Sequence, residues 1–274
     1  MAGLSLIVVG RPEAVALARV VDGEGDGLDV RQAEDLDAAA RMLAGGGDPP
    51  ELIVLAQSRP GEYSAAEIDG LRGLAPLARV WRLLGSWCEG EPRSGQPPSG
   101  CTSAYWHQWP ARWARERARW QDGQAITWSA PVTTSADERA LAAAEEPIER
   151  GSGLIVICAQ HRETAAALAD ICQLAGYQTQ IVRAGQSGEF FGASAIVWDT
   201  AAELIGDASA IRTVRASVQG PDLPLVAVVT FPRAEDVLRA TEAGVAAVVS
   251  KPFLVQDLWS HLAHWTSAPD RAGA

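Results

Sequence analysis

Lysine is nearly absent from this chain of 274 residues: Lys251 is the only one, and the remaining basic side chains are all arginine. A nucleic-acid footprint is absent too, because 23 Lys and Arg against 34 Asp and Glu leave a formal charge of −11. No basic domain is hidden in one half, since residues 1–135 carry 13 against 17 and residues 136–274 carry 10 against 17. Cysteine is sparse. Cys88, Cys101, Cys158 and Cys172 are too few and too scattered for a disulfide framework, and no pair has the CxxC spacing of a redox or zinc motif. The chain has no apolar run of about 18 residues, and Met1-Ala2-Gly3-Leu4 opens without a basic segment and a long apolar one. The expectation is a cytoplasmic protein with no nucleic-acid or membrane partner.

What is present is alternation. In the second half, short β-branched runs recur at 154–158, 181–182, 195–198, 225–229 and 245–249, with helical patterns at 163–175, 201–217 (broken), 233–243 and 255–265. Strands that are apolar throughout are buried on both faces, which predicts a parallel sheet flanked by helices. The first half repeats the order, with strands at 4–9, 28–31, 52–56 and 79–84 and helices at 13–21, 36–44 and 64–74. The fold class is therefore α/β, as two doubly wound parallel-sheet domains of the flavodoxin or CheY-like kind joined by a linker. Residues 1–120 form a first domain with a Trp-rich end, and 121–152 form a linker rich in Pro, Ser and Thr. Residues 153–266 form the second domain and 267–274 a tail. Within the linker, Ser135 followed by Glu138 has capping-box spacing.

Chemistry in an open parallel sheet belongs at the carboxyl ends of its strands. In the second half those ends supply Cys158-Ala159-Gln160-His161, then Asp199, Thr230 and Lys251. A carboxylate, a hydroxyl and an ammonium on three strand ends face one crevice, and a lone lysine suits a single carboxylate or phosphoryl oxygen there. This segment resembles the receiver domain of two-component response regulators. Asp199 follows Ala195-Ile196-Val197-Trp198 at the phospho-accepting position, Thr230 stands at the switch hydroxyl and Lys251-Pro252-Phe253 at the lysine-proline signature. The resemblance implies phosphoryl transfer from a histidine kinase to Asp199, with Thr230 and Lys251 contacting the phosphoryl oxygens.

The departures from the receiver pattern are specific. Receivers hold Mg²⁺ with acidic residues after the first strand, whereas Cys158, Ala159 and Gln160 occupy those positions, so the expectation is no cofactor. Phe231 replaces a small residue beside the expected phosphoryl pocket, Glu203 a proline, and Val248 an aromatic switch residue. In the first domain, counting four back from Pro60 places Ala56 where the acceptor would be, and no lysine exists there. If that half resembles a receiver, the resemblance implies the architecture only, without phosphorylation at that place.

Seven of the ten tryptophans lie within 81–128, a density that asks for its own account. Trp106, Trp109 and Trp113 share a helical face with Arg112 beside it, and Pro110 places Trp106 ahead of the helix proper. Two readings stand: a last helix packing its tryptophans on the sheet, or a Trp/Arg surface for a protein partner. Residues 85–104 read as a long loop. Cys88, Cys101 and His107 fit no zinc spacing, and Cys158 with His161 lacks the third group that nucleophilic catalysis needs. Residues 83–114 also resemble a planctomycete-type receiver-like family, which implies no activity. The functional expectation is a non-enzymatic tandem pseudo-receiver of the phosphorelay type acting through contacts with a protein partner, such as a histidine kinase or other signalling protein. The alternative is a working receiver phosphorylated on Asp199.

Overall fold

The computed structural model describes residues 3–11, 27–88, 90–91, 98, 100–124, 126, 130–131, 133–135, 138, 141–142, 150–183, 188, 190–219 and 222–266. The chain divides into two compact units, Met1–Glu146 and Pro147–Ala274, with the boundary inside the segment read as a linker.

Unit 1 holds β1 (Leu4–Val9), β2 (Leu28–Ala33), α1 (Leu36–Ala44), β3 (Leu52–Gln57), α2 (Ala65–Leu74), β4 (Arg79–Leu84), β5 (Cys101–Tyr105) and α3 (Trp109–Gln121). Its strands are all parallel, in the order β2-β1-β3-β4-β5. Unit 2 holds β6 (Leu154–Ala159), α4 (Arg162–Leu174), β7 (Gln178–Arg183), β8 (Ala193–Thr200), α5 (Ala208–Val218), β9 (Leu225–Thr230), α6 (Ala234–Glu242), β10 (Ala247–Lys251) and α7 (Val255–Thr266). Its order, β10-β9-β8-β6-β7, is the same topology read from the other edge. Each unit is thus a doubly wound, flavodoxin or CheY-like sheet, whose strand order reverses between its first and third strands.

Local signals explain the elements. The strand β3, Leu-Ile-Val-Leu-Ala-Gln, is buried at every position, as a central parallel strand covered on both faces must be. The helix α1 starts where the Asp35 carboxylate accepts the Ala38 N–H at 2.7 Å, and α2 starts at the reciprocal Ser64 and Glu67 capping box. The Ser135 and Glu138 bonds of the linker also form, at 2.7 and 3.1 Å. In unit 2 the period-two alternation of strand side chains sorts the sheet into two faces. Ile157, Val197, Val228 and Val249 pack with Leu168 of α4 and with Leu258 and Leu262 of α7. Cys158, Trp198, Ala227 and Val229 pack with Ile211 of α5 and Ala240 of α6.

Three expectations need correction. The broken helical pattern at 201–217 resolves into a short turn, Ala202–Leu204, followed by α5, which begins where Asp207 accepts the Ser209 N–H at 2.7 Å. The last strand starts at Ala247 rather than at 245, because the Val245 N–H bonds back to the Ala240 carbonyl at 2.9 Å and closes α6. The stretch 85–104 is not loop throughout, since its end forms β5 beside β4. Cys101, Thr102 and Ser103 give that edge strand no apolar run to announce it. The helix expected at 13–21 and the tail lie outside the described residues. No helix among the described residues is long and apolar enough to cross a membrane.

Candidate functional site

The site is built by the parity of three neighbouring strands in unit 2. Asp199, Thr230 and Lys251 continue the rows Ala195 and Val197, Val226 and Val228, and Val249, so all three point to the α4 and α7 face at the carboxyl ends of β8, β9 and β10. Asp199 is 7% exposed, and its Oδ1 accepts from the Nζ of Lys251 in an ion pair whose lysine side chain keeps 32% exposure. Thr230 stands directly across the ladder from Lys251, while Asp199 stands across from Val228, one same-face step earlier. Two of the three expected residues therefore touch, and the third is an exposed neighbour of the lysine. The Lys251–Pro252 peptide is cis.

The other wall of the crevice comes from β6, the strand across the switch point. Ala159 is half-buried on the face of Asp199, whereas Gln160 and His161 are exposed. Mg²⁺ requires several hard oxygen ligands. The strand ends offer one carboxylate, Asp199, which is already engaged by Lys251, beside a methyl group and an exposed amide. The residues present do not fit the ion, and among the described residues no group of three or more His, Cys, Asp or Glu could hold a metal.

Neighbouring positions fall elsewhere than the receiver pattern implies. Phe231 has a φ of +48° and is 40% exposed, turned toward solvent where a small residue was expected to border the pocket. Val248 packs on the α5 and α6 face rather than beside Lys251. Glu203 is exposed in the turn after β8. Cys158 lies on the opposite face of the sheet from Asp199, and burial pushes its thiol up to about 11, with a Ser217 hydrogen bond opposing. A buried thiol whose ionisation is disfavoured is a weak nucleophile.

Unit 1 shows what fills the equivalent place. Ala56 is 2% exposed, and Gly10 lies so close that a Cβ on it would meet the Ala56 Cβ and carbonyl at 2.9 Å. Backbone approach closes that crevice. The tryptophans proposed as a partner surface are core instead: Trp109 is 0% exposed, Trp106 6% and Trp113 7%. Trp109 meets Trp81 edge-on at 4.7 Å and stacks on Trp113 at 5.5 Å. Trp106 precedes α3, as Pro110 requires, and Arg112 is half-buried beside the cluster. Of the two readings, the burial of Trp106, Trp109 and Trp113 favours the helix that packs its tryptophans on the sheet, while Arg112 stays half-buried at its side. Cys88 is buried, with its Sγ donating to the Gln57 carbonyl at 3.6 Å, and its thiol is pushed up to about 11 by burial and then by Glu91. Cys88, Cys101 and His107 are not among any group that could hold a metal ion within the described residues.

A polar cluster was missed by sequence reading. Arg82 sits in β4 at 2% exposure and donates from Nε and Nη2 to the Oε1 of Gln57 at 3.1 and 2.7 Å. Glu91 accepts from Arg82 on one oxygen and from Gln57 Nε2 on the other, the latter at 2.9 Å. The only signal was an arginine inside the otherwise apolar run Val-Trp-Arg-Leu-Leu.

No family model matches the chain, and no curated protein matches it. Among solved structures it is similar to the signal receiver domain of a signal transduction histidine kinase from Syntrophus aciditrophicus, at 24% identity over 44% of this chain and 96% of that one, with a TM-score of 0.34. It is also similar to the E. coli RcsC C-terminus, which contains a linker region and a phosphoreceiver domain (15% identity, 96% and 94% coverage, TM-score 0.31). A third is full-length ShkA in complex with AMPPNP (15% identity, 96% of this chain and 51% of that one, TM-score 0.30). The fold rests on the strand order of each unit, to which likeness at this level adds nothing.

Proposed function

We propose that this protein is a non-enzymatic signalling module of the phosphorelay type, in which receiver-like units act through contacts with protein partners such as a histidine kinase. The observation that carries the reading is the state of the crevice. Asp199 is paired with Lys251, and the wall that should supply acidic metal ligands presents Ala159 and Gln160. Phosphoryl transfer proceeds by positioning and electrostatic stabilisation, usually with a divalent ion, and loss of about 4 kcal/mol of that stabilisation slows it roughly a thousandfold. Unit 1 lacks a carboxylate at the matching place altogether. What such units retain is a shaped surface, with Asp199 and Lys251 tying β8 to β10 across the intervening strand.

A second reading, a working receiver, is favoured by the meeting of Asp199 and Lys251 with Thr230 adjacent. In it an Asp199 oxygen attacks the phosphorus of acetyl phosphate, the bridging P–O bond breaks with its electron pair leaving on acetate, and an acyl phosphate forms; from a kinase phosphohistidine the bond broken would be P–N, with the imidazole leaving. Incubation with radiolabelled acetyl phosphate, with and without Mg²⁺, separates the two. The expected result is no Mg²⁺-dependent label above the level of Asp199→Asn. Mg²⁺-dependent label lost in that variant would overturn the proposal and install the second reading.

A further inference from the structure

The cluster of Gln57, Arg82 and Glu91 in unit 1 plays no part in the crevice of unit 2, and its geometry is that of an occupied binding site. Each oxygen of one carboxylate meets its own buried donor, Arg82 on one side and Gln57 Nε2 on the other. Gln57 is 1% exposed and is fixed by its second amide bond to the Arg59 carbonyl at 2.8 Å. Gln57 is the last residue of β3 and Arg82 lies two residues before the end of β4, near the carboxyl edge where open α/β sheets take ligands.

Fold stability alone is a weak reason for this arrangement. A buried ion pair is commonly replaced by apolar residues without loss, whereas a buried arginine that loses its acid is costly. The acid, moreover, comes from outside the framework. Glu91 follows the short turn Ser86–Cys88, in the connection between β4 and β5. Its side chain keeps 11% exposure against 2% for Arg82, so of the two partners the glutamate is the one that can leave.

We propose that Gln57 and Arg82 form a carboxylate-binding clamp and that Glu91 is its internal occupant, a latch displaced by a carboxylate of a ligand or protein partner. An intramolecular occupant acts at an effective concentration in the millimolar range or above, so external acids compete well only when the latch is weakened.

The test uses the full chain and acetate, with chloride as the control at equal ionic strength. In Glu91→Ala, acetate is expected to raise the thermal midpoint along a saturating curve. At ten times its dissociation constant, acetate multiplies the folded-to-unfolded ratio about elevenfold. The Arg82→Met/Glu91→Ala double variant should show no such curve. If Glu91→Ala does not fold, Glu91→Asp, which withdraws the carboxylate by one methylene, takes its place with the same expectation. A flat response in whichever variant folds, or an equal response in the double variant, overturns the clamp. A capped hexapeptide carrying one glutamate, compared with its glutamine version, then distinguishes the source. Saturation at tenfold lower concentration than acetate assigns the clamp to a protein partner, and parity with acetate assigns it to small carboxylates. Failure here leaves the acetyl phosphate result at Asp199 untouched, since the two sites lie in different units.

Discussion

Replacement of Lys251 by methionine separates a working ion pair from an incidental one. The Asp199 side chain is 8% exposed and that of Lys251 32%. At about 4 Å and an effective dielectric of about 20 the attraction is about 4 kcal/mol. Because a third of the lysine side chain reaches water, screening reduces the net value to about 2 kcal/mol. The two partners should not be equivalent. Lys251→Met strands a carboxylate that has little water to recover, and should cost about 2.5 kcal/mol. Asp199→Asn leaves an ammonium on a flexible stem that rehydrates at the crevice mouth, and should cost about 1 kcal/mol. The double variant should cost about 1.5 kcal/mol, because no orphaned charge remains, which gives a coupling of about 2 kcal/mol. At about 4 °C per kcal/mol, the lysine variant should lower the melting midpoint of unit 2 by roughly 10 °C. Urea unfolding followed by far-ultraviolet circular dichroism measures the cycle, with the unit 1 transition as an internal reference. Equal costs for the two single variants, or a double variant equal to their sum, would refute the electrostatic account of the crevice.

Three further outcomes are expected. His107 is buried, and burial, then the charge of Arg112, lowers it to about 3 from its ordinary 6.5, so the unfolded chain binds the extra proton first. Stability should hold above pH 6.5 and fall toward pH 3 by up to about 1.4 kcal/mol per pH unit, and a His107→Phe variant should lack that component when urea midpoints are compared. Burial raises Cys88 and Cys158 to about 11 and Cys172 to about 12, whereas Cys101 is half-buried, so a thiol reagent at pH 8 should modify Cys101 first. Peptide mapping that finds another cysteine labelled first would contradict this order. Gly10→Ala should destabilise unit 1 by at least about 2 kcal/mol, since its new Cβ meets Ala56 at 2.9 Å and its φ of +147° disfavours a side chain. An unchanged melting midpoint would show that the β1 and β3 ends have room to part.

Strand and helix positions were legible wherever burial on both faces wrote a continuous apolar run. The bounds of β1, α1 and β4 match their sequence expectation residue for residue, and the doubled order of elements gave the two parallel sheets. The edge strand β5 was not legible, because an edge that buries one residue in five carries no such pattern. The rarity of lysine drew attention to Lys251, and the spacing of strand ends drew attention to Asp199 and Thr230. That two of them form an ion pair on one face was decided by strand parity and by register across three strands, which no local stretch encodes.

The tryptophans mark the same limit from the other side. Sequence placed Trp106, Trp109 and Trp113 on one face of a helix, but a face can be turned to a partner or to its own sheet, and only the packing of Trp109 on Trp81 decided between them. Likewise Arg82 could be read as a charge in a strand, while its partner Glu91 comes from a segment with no regular pattern. By itself the sequence determined the elements, their order and the charges available, because backbone hydrogen bonding and apolar periodicity act over neighbouring residues. Which side chains share a crevice, and which face away from water, depended on contacts between residues far apart in the chain, and those exist only once the sheet is assembled.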